Sequence, residues 1–160
     1  LRNLVMATQN GRVLREMGLK NPSDCLSYRV AVKSIERVAD HACGIAELTT
    51  RLKHKLPKDT LQKVDRMSDH ALRVLSDSVE ALLRRDYALA DKTVDNVEGI
   101  HTLGTEALEA MESDRVQDPA NSKLVLEAIK RTAEYASDIA EAAMNETINE
   151  IVEKHTTRTR

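Results

Sequence analysis

Hydrophobic residues recur along this chain at intervals of three and four, which is the spacing of one face of an α-helix. The clearest row lies near the middle of the chain and consists of Leu61, Val64, Ala71, Leu72, Leu75, Val79 and Leu82. Turn-forming residues interrupt the pattern at four places. The sequence therefore predicts five helices, at residues 1–17, 26–55, 61–85, 88–111 and 122–154. The short connections favour antiparallel neighbours in a helical bundle.

Proline and capping residues mark the predicted helix boundaries. Residues 21–24 (Asn-Pro-Ser-Asp) suit a turn and a cap, because Pro is tolerated in a first helical turn and Ser and Asp accept its unpaired amide protons. Pro57 separates the second and third helices, and Pro119 opens the fifth. The end of the chain is polar, and we expect residues 157–160 to fray.

The composition agrees with an all-α fold. Hydrophobic residues make up 41% of the chain and charged residues 31%, whereas aromatic residues account for only 2%, with 5 Gly and 3 Pro. This is the composition of long helices rather than of strands and hairpins. The net charge of −2 and the few aromatic rings disfavour direct binding of nucleic acid by this segment. No run of about 18 apolar residues suggests a membrane span.

Two cysteines, Cys25 and Cys43, lie in or beside the second predicted helix. Eighteen residues of helix lie between their positions and separate them by about 27 Å, which is far beyond the reach of a disulfide. We expect two free thiols, as in the reducing cytosol, and therefore a cytoplasmic protein.

Two carboxylates lie one helical turn apart in the second helix, and the arrangement occurs again 98 residues later. The first acidic pair is Glu36 and Asp40, and the second acidic pair is Glu134 and Asp138. Residues four apart are neighbours on a helix face, and paired oxygen ligands can bind a hard cation when further ligands complete its shell. The alternative is a solvated face whose acids form weak ion pairs with nearby basic residues, namely Arg29, Lys33 and Arg37.

The same offset aligns further positions of the two long helices, such as Leu26 with Leu124 and Ser34 with Thr132. The chain is therefore predicted to hold two related units of three helices. Residues 1–56 would form a partial first repeat that lacks its opening helix, and residues 57–156 would form a complete second repeat. Residues 157–160 remain as the frayed tail.

Apolar positions also predict which side of each long helix faces the core. In the second helix these positions are Ile35, Ala39, Ala42, Ala46 and Thr49. In the fifth helix they are Ala133, Ala136, Ala140 and Ala143. An incomplete first repeat would leave these apolar positions of the second helix uncovered. We therefore expect a homo-oligomer, such as a dimer, to form through this face.

Other chemistry has little support in the sequence. Glu98 and His101 form one Glu-x-x-His motif, whereas a carboxylate-bridged di-iron site needs two such motifs and further glutamates. Phosphate-cradling glycine loops, nucleophile elbows and Cys-x-x-Cys motifs do not occur. We therefore expect no enzymatic activity.

The segment around the first acidic pair, IERVADHACGIAE, resembles the signature of the PhoU family of phosphate-uptake regulators, whose repeats carry Glu/Asp-x3-Asp in a helix. The longer stretch SDCLSYRVAVKSIERVADHA is similar to the archaeal branch, and RRDYALADKTVD resembles the family's corner between its first two helices. The resemblance covers nearly the whole chain. It is weaker in the second motif, where Ala133 and Tyr135 replace the usual apolar residue and Arg. The family carries an Asn four residues after the Asp of each motif, and these two positions are Gly44 and Ala142 in this sequence.

The resemblance implies an all-α, antiparallel bundle of tandem three-helix repeats, truncated here at its amino terminus. It implies metal at Glu36, Asp40, Glu134 and Asp138, usually an iron or zinc cluster, with magnesium or another divalent cation as a further candidate. The implied activity is regulation of phosphate uptake through contact with the cytoplasmic ATPase of a phosphate transporter or with a sensor kinase. Some archaeal relatives carry an amino-terminal AbrB-like DNA-binding segment, of which nothing is present in this sequence.

Two alternatives to this function remain open. One is a metal-free helical module for interaction or oligomerisation. The other is a metalloenzyme of the carboxylate-bridged class.

Overall fold

The computed structural model describes residues 11–16, 19 and 21–158, with side chains up to residue 148 except that of Ser23. Within these residues every regular element is a helix, which confirms the prediction of an all-α bundle. Most of the first predicted helix lies outside the described residues. The helices are α1 (Gly11–Glu16), α2 (Pro22–Arg51), α3 (Lys58–Arg84), α4 (Tyr87–Val97), α5 (Gly99–Ser113) and α6 (Pro119–Arg158).

Helix α6 is the centre of the arrangement. Its most extensive contacts are with α2 and α3, and α4 and α5 pack against it as well. The two longest helices run antiparallel, because Ala31 near the start of α2 packs close to Ile139, whereas Ile45 near its end packs close to Val125. Among the described helices, α2 has extensive contact with α6 alone.

The predicted fourth helix is divided at Glu98 into α4 and α5. The His70 ring of α3 explains the break, because its Nε2 donates to the Asn96 carbonyl oxygen at 2.8 Å and so takes that acceptor from the helix. The same ring lies 3.2 Å from where a Cβ of residue 99 would stand, and glycine leaves room for it. A side chain inserted into the hydrogen-bond ladder is a common cause of a kink.

The buried face of α2 differs from the prediction. Ile35 is 45% exposed, and Ala39, Ala42, Ala46 and Thr49 are exposed as well. The side toward α6 is formed instead by Ala31, Ser34, Val38, Ile45 and Leu48. Two apolar stripes compete on this helix, and α6 covers only one of them. For α6 the prediction is confirmed, since Ala133, Ala136, Ala140 and Ala143 are each 0% exposed.

Helices α2 and α3 begin in different ways. The turn predicted at residues 21–24 is confirmed, because the Asn21 backbone N–H donates to Asp24 Oδ2 at 3.0 Å and Pro22 opens α2. The N-cap residue of α3, Pro57, offers no capping side chain. Asp114 at the end of α5 accepts the hydrogen bonds of that terminus from Thr60 instead.

The final helix extends further than predicted. Helix α6 continues to Arg158, so residues 157 and 158 of the expected frayed tail are helical, and residues 159–160 lie outside the described part. The division into repeats at residues 56 and 57 stays a prediction.

Candidate functional site

The two acidic pairs lie on the two helices that pack against each other. Glu36 and Asp40 belong to the middle of α2, and Glu134 and Asp138 belong to the middle of α6. Ser34 of α2 hydrogen-bonds to Asp138, and His41 of α2 stacks on Tyr135, so the two helices contact each other beside both motifs. Their surroundings nevertheless differ.

The first acidic pair is on the solvent side of α2. Both residues are exposed, and the Glu36 side chain retains 52% of its accessible surface. Lys33 Nζ donates to Glu36 Oε2 at 2.8 Å. This hydrogen bond and the positive charge of Lys33 hold the pKa of Glu36 below its ordinary value. Glu36 is therefore ionised at neutral pH and available to a cation that can compete with an exposed lysine.

The second acidic pair is more enclosed. The Glu134 side chain is 28% exposed, and its Oε2 accepts a hydrogen bond from Arg131 Nη1 at 2.9 Å. Lys130 Nζ lies 3.7 Å from Glu134 Oε1. Asp138 accepts a hydrogen bond of 3.1 Å from the hydroxyl of Ser34 on α2. The second pair is therefore held by contacts on both sides, and one of them bridges the two helices.

The donor set of these pairs limits which metal they can hold. Among the described residues, His, Cys, Asp and Glu form no group of three that could bind one metal ion. Each pair offers two carboxylates, which does not make a closed four-ligand zinc site. Two carboxylates do suit a hard cation that keeps several water ligands. The pairs fit such a cation, provided that water or another chain supplies the remaining ligands.

An aromatic contact near the second pair was not predicted from the sequence. The Tyr135 ring stacks on His41, with ring centroids 5.6 Å apart and planes 22° apart. The guanidinium carbon of Arg37 lies 5.3 Å from the centroid of the same ring. Arg37 and Tyr135 occupy equivalent positions under the 98-residue offset. The offset itself was the signal that would have found their contact.

The remaining candidates are separate from this interface. Glu98 and His101 are exposed near the kink between α4 and α5. Both thiols are free, as predicted, with Cys25 buried and Cys43 exposed. Burial, together with the negative charges of Asp24 and Glu146, raises the pKa of Cys25 above its ordinary value. Cys25 therefore stays protonated at neutral pH and is a packed thiol rather than a reactive one.

Within the described part of the chain, each helix is too short or too polar to cross a lipid bilayer.

Comparison with known proteins identifies the family. The sequence model of the PhoU domain matches residues 64–143, which is half of the chain and runs from α3 into α6. The match includes the second acidic pair and excludes the first. Searches of curated proteins and of solved structures each return no match. The extent of the family match shows that this chain belongs to the PhoU family, whose members are regulators of phosphate homeostasis.

Proposed function

We propose that this chain restrains phosphate uptake by binding the cytoplasmic ATPase of a phosphate transporter or a sensor kinase, and that it acts in the cytoplasm without catalysis. The match of the PhoU domain over residues 64–143 carries the proposal. The matched residues form a packed unit around α6, with a buried core that includes Met67, Ile100 and Ile139. A unit of this kind offers rigid helical surfaces for contact with other proteins.

The proposal is tested in the cells that naturally produce the protein. Deleting the gene is expected to raise the rate of phosphate uptake several-fold, because a restraint on the transporter is lost, and returning the chain is expected to restore the original rate. Uptake of radiolabelled phosphate measures both, with the empty vector as the control. Uptake that stays the same after deletion would contradict the proposed function.

We also propose that the acidic pairs bind divalent metal as part of this regulation. Glu36, Asp40, Glu134 and Asp138 would each contribute carboxylate oxygens, with water or a second chain completing the shell. The family resemblance implies an iron or zinc cluster, and the all-oxygen donor set favours magnesium or another hard divalent cation. A bound cation would remove the repulsion between the two carboxylates of each pair.

Neutralising the pairs is expected to lower the metal content. The variants Glu36→Gln/Asp40→Asn and Glu134→Gln/Asp138→Asn keep the side-chain shapes and remove the charge that attracts a cation. Elemental analysis after dialysis against the metal is expected to show roughly half the wild-type content in each variant, provided that both pairs are occupied equally.

The matched control is Asp91→Asn/Asp95→Asn, which neutralises another exposed pair with the same spacing on α4. This control is expected to keep the wild-type metal content. If all three double variants bind as much metal as the wild type, the site assignment is wrong.

A metal-free interaction module is the second candidate. The exposed apolar side of α2, formed by Ile35, Ala39, Ala42 and Ala46, favours it, because apolar faces of helices are usually covered by a partner. In that case a second copy of the chain would cover this side, and metal would have no role.

A further inference from the structure

A groove between α2 and α6 combines apolar and basic side chains. We call it the basic groove and define it by Leu26, Arg29, Val30, Lys33, Arg37 and Asp138. Its volume is about 330 Å³, and it opens to solvent on the flank of α2 opposite Ile35 and Ala39. Buried Ser34 forms its floor with Asp138. The groove is therefore distinct from the apolar side of α2 discussed above.

Positive charge runs in a row along this groove. Arg29, Lys33 and Arg37 are successive residues at intervals of four, so they lie one above another along about 12 Å of helix. Only Lys33 has a carboxylate partner within the described part of the chain, and that partner, Glu36, is an exposed residue of the same helix. Such an exposed pair is weak and opens readily when another carboxylate approaches.

Two large apolar side chains border the row. Leu26 is 61% exposed and Val30 is 46% exposed, although both are aliphatic residues that are usually buried. They lie four residues apart, so they form one apolar strip beside the cations. An apolar strip with a charged border is the form of surface that binds other proteins.

We propose that the basic groove is the docking site for an acidic amphipathic helix of a partner protein. Such a helix would place aliphatic residues on Leu26 and Val30 and carboxylates opposite Arg29, Lys33 and Arg37. The inference rests on the proposed function, since it names the surface and the chemistry of a protein contact. A single phosphate ion would reach only part of a row of cations about 12 Å long, and it would leave the apolar strip without a partner.

The groove is prepared for binding before a partner arrives. Arg37 is held over the Tyr135 ring at 5.3 Å, which restricts its rotamers. The 3.1 Å hydrogen bond from Ser34 fixes the Asp138 carboxylate at the floor of the groove. Preorganised side chains lose less conformational entropy on binding, so more of the interaction energy appears as affinity.

The row of cations is a property of one repeat only. Under the 98-residue offset, Arg29 corresponds to Glu127 and Arg37 corresponds to Tyr135. Two of the three cations are therefore absent from the equivalent positions of α6. A partner that binds through these cations contacts only the α2 side of the α2–α6 pair. Each chain therefore binds one acidic helix of a partner.

The test uses the whole chain and a labelled synthetic helical peptide that carries two leucines four residues apart, bordered by glutamates. Fluorescence anisotropy is expected to show binding that weakens as salt rises, because exposed charges are screened. A peptide with lysine in place of each glutamate is expected not to bind.

The double variant Arg29→Glu/Arg37→Glu is expected to bind the acidic peptide at least tenfold more weakly, and Leu26→Ser is expected to weaken binding with the charges intact.

The matched control is Arg73→Glu/Lys92→Glu, which makes the same change of charge at exposed positions of α3 and α4. It is expected to bind the acidic peptide as the wild type does. Circular dichroism establishes that every variant folds. Equal binding of the acidic and basic peptides, or equal losses in both double variants, would overturn the proposal.

Two further outcomes identify another occupant. If inorganic phosphate displaces the peptide and sulfate at equal ionic strength does not, the groove is a phosphate site and the proposal is wrong. If Arg29→Glu/Arg37→Glu abolishes self-association in sedimentation, the occupant is a second copy and the proposal is also wrong. Phosphate uptake in cells is measured separately, so regulated uptake without peptide binding would reject the docking site and leave the proposed function standing.

Discussion

Replacing Asp114 with alanine is expected to lower the free energy of unfolding by about 2–3 kcal/mol. Hydrogen bonds to a charged acceptor contribute about 1.5–3 kcal/mol each, and the partial exposure of this carboxylate reduces the sum of its two bonds. Asp114 Oδ2 accepts from the Thr60 backbone N–H at 3.1 Å and from the Thr60 hydroxyl at 2.7 Å. Thr60 is 0% exposed, so its buried N–H and hydroxyl both lose their protein acceptor when Asp114 is removed. The change also removes a negative charge from the N-terminus of α3.

Urea denaturation followed by circular dichroism measures this loss. The control is Asp65→Ala, an exposed aspartate further along α3, which is expected to change the stability by less than about 0.5 kcal/mol. The hydroxyl bond can be isolated with Thr60→Val, which keeps the backbone N–H bond to Asp114, so the loss in the double variant should fall short of the sum of the two single losses. Additive losses would mean that Asp114 does not act through the Thr60 hydroxyl.

Replacing Ile139 with alanine is expected to lower the free energy of unfolding by about 3–4 kcal/mol, because a buried aliphatic side chain leaves a cavity that packed helices only partly fill. Ile139 is 0% exposed and belongs to a cluster that includes Ala31 of α2, Leu82 of α3 and Ala90 of α4. The cavity would therefore weaken the contact of α6 with three other helices at once.

Ile148→Ala provides the comparison for this cavity. It makes the same chemical change in the same helix at a side chain that is 44% exposed, and we expect it to cost less than about 1 kcal/mol because little apolar surface is lost. Thermal or urea unfolding measures both variants. Similar losses in the two variants would show that Ile139 is not part of a tightly packed core.

The sequence predicts the helices well because their apolar rows are local. It does not predict the break at Glu98, because the cause is the His70 ring of another helix, which reaches the Asn96 carbonyl. It also selects the wrong buried face for α2. That helix carries one stripe through Ile35 and Ala39 and another through Ala31 and Ile45, and periodicity alone does not say which stripe meets a neighbour.

The candidate site shows the same division between local and distant information. The spacing of each acidic pair on one helix follows from the sequence. The bond from Ser34 to Asp138 and the contact of Arg37 with Tyr135 depend on the pairing of α2 with α6. The first of these joins residues 104 positions apart, so no local pattern contains it.

Among the described helices α2 has extensive contact with α6 only, which has a consequence for how the molecule opens. A helix whose main contact is with one neighbour detaches at a lower free energy than a helix packed by several others, so the backbone amides of α2 would exchange with solvent before those of α6. The basic groove disappears whenever α2 detaches. A ligand of the groove therefore binds only the closed form, and by mass action it protects α2 more than the rest of the bundle. Binding of a partner would therefore reduce the opening of α2 and leave the packing of the bundle around α6 unchanged.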